Sequence, residues 1–187
     1  MNSAVKGHHL VDVAVKEWGA VVHALGTGIQ TIQCRKHAPR AGEFLFYPTF
    51  SYFDSQPWEH KFKPQYYDLV RKVGQAVVEA ARNDRIEMRY YAECVEVLPT
   101  DSRRILNLSS EYIWSDEHVE SYALRGAVIW LLRVYRLPHG APVGATLRSG
   151  DILYYRHFPK VDISGAIPVL NDAEFEGRKK KILQALH

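Results

Sequence analysis

The stretch that most constrains the fold is Ala127-Val128-Ile129-Trp130-Leu131-Leu132-Arg133-Val134-Tyr135-Arg136-Leu137. It is nearly continuously apolar and rich in β-branched and aromatic residues, the pattern of a central, doubly covered strand. Two arginines interrupt it. Arg136 reaches solvent at the strand end, whereas Arg133 lies deeper and needs a carboxylate partner or a pocket mouth. A second long strand is legible at residues 86–98, where Ile86, Met88, Tyr90, Ala92 and Cys94 share one face and Glu87, Arg89, Tyr91 and Glu93 the other. The alternation slips at Cys94-Val95, which predicts a bulge or bend, and Pro99 is expected to end the strand. Such bending suits closure of the sheet into a small barrel.

Other elements follow from period and punctuation. Residues 11–25 read as a helix capped by Asp12, with Val15, Trp18, Val22 and Leu25 on one face and Gly26 and Gly28 at its end. Trp18 reads as a core anchor. Residues 28–35 read as a strand, with Ile32 and Cys34 pointing one way and Thr31, Gln33 and Arg35 the other. A basic loop follows, Lys36-His37-Ala38-Pro39-Arg40, and then a strand at 41–47. The aromatic stretch 47–64 holds Phe50, Tyr52, Phe53, Trp58, Phe62 and the pair Lys61/Lys63. It packs as a lid or stacks bases beside its lysines. Pro64 opens a helix to about Arg82. Ile105, Leu106 and Leu108 mark a short helical turn. Ser115 caps a helix to about Leu124, with Val119 and Tyr122 toward the core and His118 as a surface or first-turn residue. Residues 138–150 read as a Pro/Gly loop. Ser149 to Tyr155 echoes Ala41 to Tyr47, which suggests two strands begun by the same turn chemistry. Asn171 or Asp172 caps a last helix at about 172–186, whose basic run Arg178 to Lys181 complements the helix dipole.

Length, charge and cysteine use bound the function. The chain has 187 residues, a length that favours one domain over 1–187, with an insertion at about 48–85. No apolar run approaches the ~20 residues of a membrane span, and Met1 to Leu10 is not a signal peptide. A cytoplasmic protein with no membrane association is expected. The two cysteines, Cys34 and Cys94, sit in apolar strand patterns and read as reduced core residues. No metal-ligand spacing is present, so neither metal nor cofactor is expected. The net charge of +3 permits a nucleic-acid partner only where the cations cluster, as Arg35, Lys36 and Arg40 do.

Two long antiparallel strands with flanking helices and no strand–helix–strand alternation argue an α+β fold. The segment Gly28-Ile29-Gln30-Thr31-Ile32-Gln33-Cys34-Arg35, followed by Gly42-Glu43, resembles the signature of the ASCH domain, a branch of the PUA-like barrels. That signature is Gly-x-Lys-x-x-Glu-x-Arg on a strand, then Gly-Asp opening the next strand. Gly28 and Arg35 match it, Gln30 stands where the family has lysine, and Gln33 stands at the glutamate position. The resemblance covers about residues 26–137 and implies a small mixed or antiparallel barrel flanked by helices. The chain also resembles, over nearly its whole length, an uncharacterised bacterial family known as a domain of unknown function. The residues that carry this include Lys16-Glu17-Trp18, Arg35-Lys36, Tyr47-Pro48-Thr49 and Leu132 to Pro138.

The ASCH resemblance implies binding of RNA or a modified nucleotide in a basic cleft beside strand 28–35. Gln30, Thr31 and Gln33 would meet a base edge, Arg35, Lys36, Arg40 and Arg133 would gather around the same hollow, and Tyr47 or an aromatic of the following loop would stack a base. The alternatives are a nucleoside or RNA hydrolase and a protein-interaction module. Some ASCH proteins resemble amidohydrolases that use the signature lysine, a residue at the glutamate position and a later carboxylate. Glutamine at both positions argues against that chemistry here, and no catalytic residue is assigned. Glu111, Asp116 and Glu117 are the carboxylates such a site would draw on.

Overall fold

The computed structural model describes residues 5, 7–51, 57–143, 154–155 and 160–186. Its centre is the expected pair: β5 (Glu87–Thr100) and β6 (Ala127–Pro142), antiparallel from Glu87↔Pro142 to Thr100↔Ala127. The slip expected at Cys94 is a register shift between Cys94 and Glu96. A second shift falls between Met88 and Tyr90, where Leu137, Pro138, His139 and Gly140 stand against Arg89 alone. That bulge carries a proline and a glycine inside the strand, so β6 runs to Pro142 where a loop from 138 was expected. Pro99 does not end β5 either. β4 (Glu43–Thr49) pairs with β5 only from Tyr91 to Glu93, so Pro99 sits where that side of the strand is an edge.

Around this pair the sheet runs β3 (Ile32–Arg35), β6, β5, β4, β2 (Ala14–Trp18) and β7 (Tyr154–Tyr155), with β9 (Ile167–Pro168) also on β6. β2 is parallel to β4 and antiparallel to β7, so the sheet is mixed and the class is α+β. β1 (Leu10–Val11) and β8 (Val161–Asp162) pair separately. Of the echo at 149–155, only Tyr154 and Tyr155 are among the described residues. Among those residues no ladder joins the ends of the sheet into a closed barrel. The gap between β2 and β3 is crossed by side chains instead.

The helix expected at 11–25 begins only at Gly19: α1 spans Gly19–Gly26, and the residues before it form β1 and β2. Val11, Val13 and Val15 are β-branched and alternate, and β2 finds a partner in β4, with Ala14 and Val15 fully buried. Tertiary pairing overrides a helical pattern that fitted the same residues.

The main core gathers Phe44, Phe46, Trp130, Val15 and Ile32 with Ile105, Phe175 and Ile182. A second core on Leu45, Tyr47, Met88 and Tyr91 lies under Val11, Ile163 and Ala166. α2 (Tyr67–Arg82) packs on α1, where a Cβ on Gly19 would lie 2.7 Å from Val77 Cγ2. Trp58 and Phe62 are buried, so the described part of the aromatic stretch packs as a lid, while Tyr52 and Phe53 lie outside the described residues. α3 (Asp116–Ala123) is capped as expected, His118 N–H donating to Ser115 Oγ at 3.1 Å. At the start of α4 (Asp172–Leu186), Asn171 Oδ1 accepts from Glu174 N–H at 2.9 Å and Glu174 Oε2 accepts from Asn171 N–H at 3.1 Å, a reciprocal capping box.

Gly26 is held by close approach: a Cβ there would lie 2.2 Å from Tyr90 Cζ. Gly26→Ala is expected to lower stability by about 1–3 kcal/mol in urea unfolding. The added Tyr90→Ala change relieves part of the loss. A Gly26→Ala midpoint equal to the parent's would show that the ring yields freely.

Candidate functional site

β3 is one end of the strand order and β2 stands next to the other end, β7, and the curl of the sheet brings β2 and β3 together. Ala14 and Val15 give the outer edge of β2 to β7, and from Lys16 onward that edge meets β3. Glu17, which the strand pleat turns inward with Val15, is the bridge. Its Oε2 accepts from Gln33 Nε2 at 2.6 Å and from Arg35 NH2 at 2.5 Å, and its Oε1 from Trp18 N–H at 2.6 Å. Glu17 is 7% exposed and Gln33 is fully buried. The Arg35 guanidinium lies 5.5 Å from the Trp130 ring centroid, and that indole donates to His37 O at 2.8 Å. Burial pushes the Glu17 carboxyl above its ordinary value, against the opposing pull of Arg35 and the Trp18 amide.

α3 spans from the end of β2 to the end of β3. His118 and Tyr122 are four residues apart and so share a helix face one turn apart. His118 stacks on Trp18 with ring centroids 5.6 Å apart, and Lys61 lies 5.4 Å from the Trp18 ring. Lys36 lies 4.8 Å from the Tyr122 ring and donates to the carbonyls of Tyr122 and of Gly126, the latter at 3.2 Å. Burial, Lys61 and His60 lower the His118 pKa. Burial raises that of Tyr122 against the pull of Arg35, with Cys34 and Glu17 adding to the rise.

The residues expected to line one hollow fall into separate groups. Gln33, Arg35 and Lys36 meet at the seam with α3, and Arg40 follows on the exposed loop. Gln30 is fully buried and its amide is used between two backbone groups, donating to Ile32 O at 2.7 Å and accepting from Ile113 N–H at 3.1 Å. Thr31 and Arg133 share a crevice with Leu170 and Phe175 of about 10 Å³, room for one water and not for a base. Arg133 has the carboxylate it needs, Asp172 at 2.6 Å, and packs on the Phe175 ring. Tyr47 is 2% exposed inside the second core, because its strand position faces that core and not the seam, so it offers no open ring for stacking. Tyr122, expected toward the core, is 36% exposed, and His118 stands in the first turn of α3, half-buried against Trp18.

Two of the three carboxylates considered for hydrolysis are engaged elsewhere. Glu111 is buried on Lys181 at 2.7 Å. Asp116 accepts from Ser109 at 2.7 Å and Tyr112 at 2.9 Å, with Lys63 at 3.4 Å, and these partners hold its carboxyl below the ordinary range despite partial burial. Glu117 is exposed. Cys34 and Cys94 are free thiols that burial pushes up to about 11, which leaves them unreactive. Among the described residues no three His, Cys, Asp or Glu side chains stand together to hold a metal. Sequence reasoning misses Glu17. The alternation Val11, Val13, Val15, Glu17 carries the signal, but a helical reading of the same residues hides it.

Residues 14–181 match the family described as Domain of unknown function (DUF1802), and the chain belongs to that family. No curated protein matches it. In structure it is similar to the ASCH protein of Zymomonas mobilis, at 12% identity and a TM-score of 0.44, over 92% of this chain and 93% of that one. A crystal structure of a serine-to-alanine mutant of the same ASCH protein gives 14% identity and a TM-score of 0.43, over 90% and 94%.

The seam makes a prediction about charge. The folded state holds the Glu17 proton more tightly than the unfolded chain. Between the ordinary value of 4.5 and the higher folded value it therefore binds more protons, and stability falls as pH rises. This contribution is complete below 4.5 and is lost above the folded value. Glu17→Gln lacks the titration, so its stability relative to the parent should climb with pH through that window, reaching within about 1 kcal/mol at neutrality. Arg35→Met, which strands the carboxylate, should cost about 3 kcal/mol at neutral pH. Urea midpoints across the acid-to-neutral range check both, and a Glu17→Gln difference that is flat in pH sinks the assignment.

Proposed function

We propose that the protein binds single-stranded RNA or a nucleotide at the β2–β3 seam, with β3 as the recognition strand of an ASCH-like, PUA-like domain. The observation that carries this reading is the arrangement along α3. Two cations, Lys61 and Lys36, lie over rings beside helix positions one turn apart, the first over Trp18 against His118 and the second over Tyr122. Ring faces and ammonium groups in alternation are what stacked bases and their phosphates require. Arg40, on the exposed loop beyond β3, extends the positive rim. Among the described residues no helix is long and apolar enough to cross a membrane. The hydrolase alternative loses its natural centre, since the Gln30 amide is already bound at both ends.

Filter binding with a labelled single-stranded RNA at two salt concentrations tests the proposal. Lys36→Ala and Lys61→Ala should each weaken binding and reduce the salt slope by about one. Tyr122→Ala should weaken binding with the slope unchanged. RNA binding indifferent to all three changes, or no binding at low salt, sinks it.

A further inference from the structure

We infer that the inward polar row of β3 is a base-reading site for a neutral planar group that carries an N–H beside a C=O, with Gln33 Oε1 accepting and Arg35 Nε donating. The inference rests on the nucleotide reading above. Among the described residues the buried side-chain polar atoms without a partner are Thr31 Oγ1, Gln33 Oε1, Arg35 Nε, Glu96 Oε2 and Thr100 Oγ1. The first three stand at alternate positions of one extended segment and so on one face. Buried polar atoms left unpaired are costly, and a row of them on one strand calls for an occupant. The one-water crevice accounts for Thr31. Gln33 and Arg35 lie farther along the row, at the seam.

Both side chains are clamped on the same oxygen, Glu17 Oε2, at 2.6 and 2.5 Å. The clamp uses the Gln33 amide nitrogen and one terminal guanidinium nitrogen. It leaves one buried acceptor and one buried donor without a partner, Gln33 Oε1 and Arg35 Nε. It also sets the charge: Glu17 offsets Arg35, and Gln33 is neutral. A phosphate therefore finds no net positive charge there and meets a carboxylate besides, while Lys36 and Lys61 lie outside this row, over the Tyr122 and Trp18 rings. The complement of one acceptor beside one donor is the imide edge of a nucleobase, uracil being the simplest case. The described contacts between β2 and β3 come from side chains, so a ring can part the seam without breaking a backbone ladder.

Equilibrium dialysis of the full chain with uridine, 3-methyluridine and inorganic phosphate tests this beside the RNA filter assay. Uridine should bind, inorganic phosphate should not compete with it, and 3-methyluridine, which lacks the N–H, should bind about tenfold or more weaker. That comparison needs no variant and so does not depend on any substitution folding. Gln33→Met should lower uridine affinity about tenfold with the RNA salt slope unchanged, whereas Lys36→Ala should flatten the slope and spare uridine. Equal binding of the two nucleosides, competition by phosphate, or unchanged uridine binding by Gln33→Met overturns the inference. RNA binding without uridine binding also overturns it, means that water fills the row, and leaves the RNA reading standing. Failure of RNA to bind at any salt removes the RNA reading itself.

Discussion

The Glu17 carboxylate ties together two strands that no described ladder joins. Its three donors come from Trp18, Gln33 and Arg35, two strands and the start of a helix, and it meets them from a position that is 7% exposed. An ionised carboxylate in so dry a place is tolerable only because a guanidinium and two N–H groups are aimed at it. Two of the three donors, Gln33 and Arg35, depend on the curl of the sheet. The bulge at Cys94 bends β5, β5 carries β4 and β4 carries β2, until the end of β2 comes round to β3. The carboxylate then does what backbone hydrogen bonds do elsewhere in the sheet.

That unjoined seam gives the surface its character. A ladder would have closed the edge of β3 with backbone hydrogen bonds. Side chains bridge it instead, leaving an amide oxygen and a guanidinium nitrogen unpaired just inside. α3 lies across the outer side and adds His118 and Tyr122, with Lys61 and Lys36 over the adjacent rings. Its position follows from local chemistry: Ser115 caps it, and Ser115 N–H and Oγ–H donate to the Lys61 and His60 carbonyls at 2.9 and 2.6 Å, which sets the helix beside Trp18. The basic residues at the other end of the chain serve the fold. Arg178 donates to Ile29 O, Lys179 faces Glu96 and Lys181 faces Glu111, so α4 is fastened to the body by a run of charge that sits in mid-helix and not in the last turn where the dipole would favour it.

Much of the framework is legible in the sequence. The pairing partners β5 and β6, the bulge at Cys94, the Ser115 cap, the last helix and the buried Trp58 and Phe62 all follow from period, capping chemistry and burial cost. Residues 11–18 mislead because valines three or four apart fit a helix face while valines two apart fit a strand, and only the partner β4 decides between them. The candidate site is legible in part. Gln33, Arg35 and Lys36 stand out as a polar face followed by cations, and they do meet. Gln30, Tyr47 and Arg133 stand out by type and neighbourhood in sequence, but their partners are backbone groups, a core and Asp172.

Alternation and punctuation along the chain determined that the two long central segments extend, where the first of them bends, which residues begin the last two helices and which face of β3 is polar. These are local properties, written in side-chain period and in the few residues that satisfy a turn or a helix end. Which strand faces β3 across the seam, that Glu17 is its counter-charge, and that His118 and Tyr122 stand over the result were decided only by the tertiary structure. The reason is physical: a buried carboxylate and its guanidinium lie 18 residues apart here, and no local pattern records the curl that brings them within 2.5 Å.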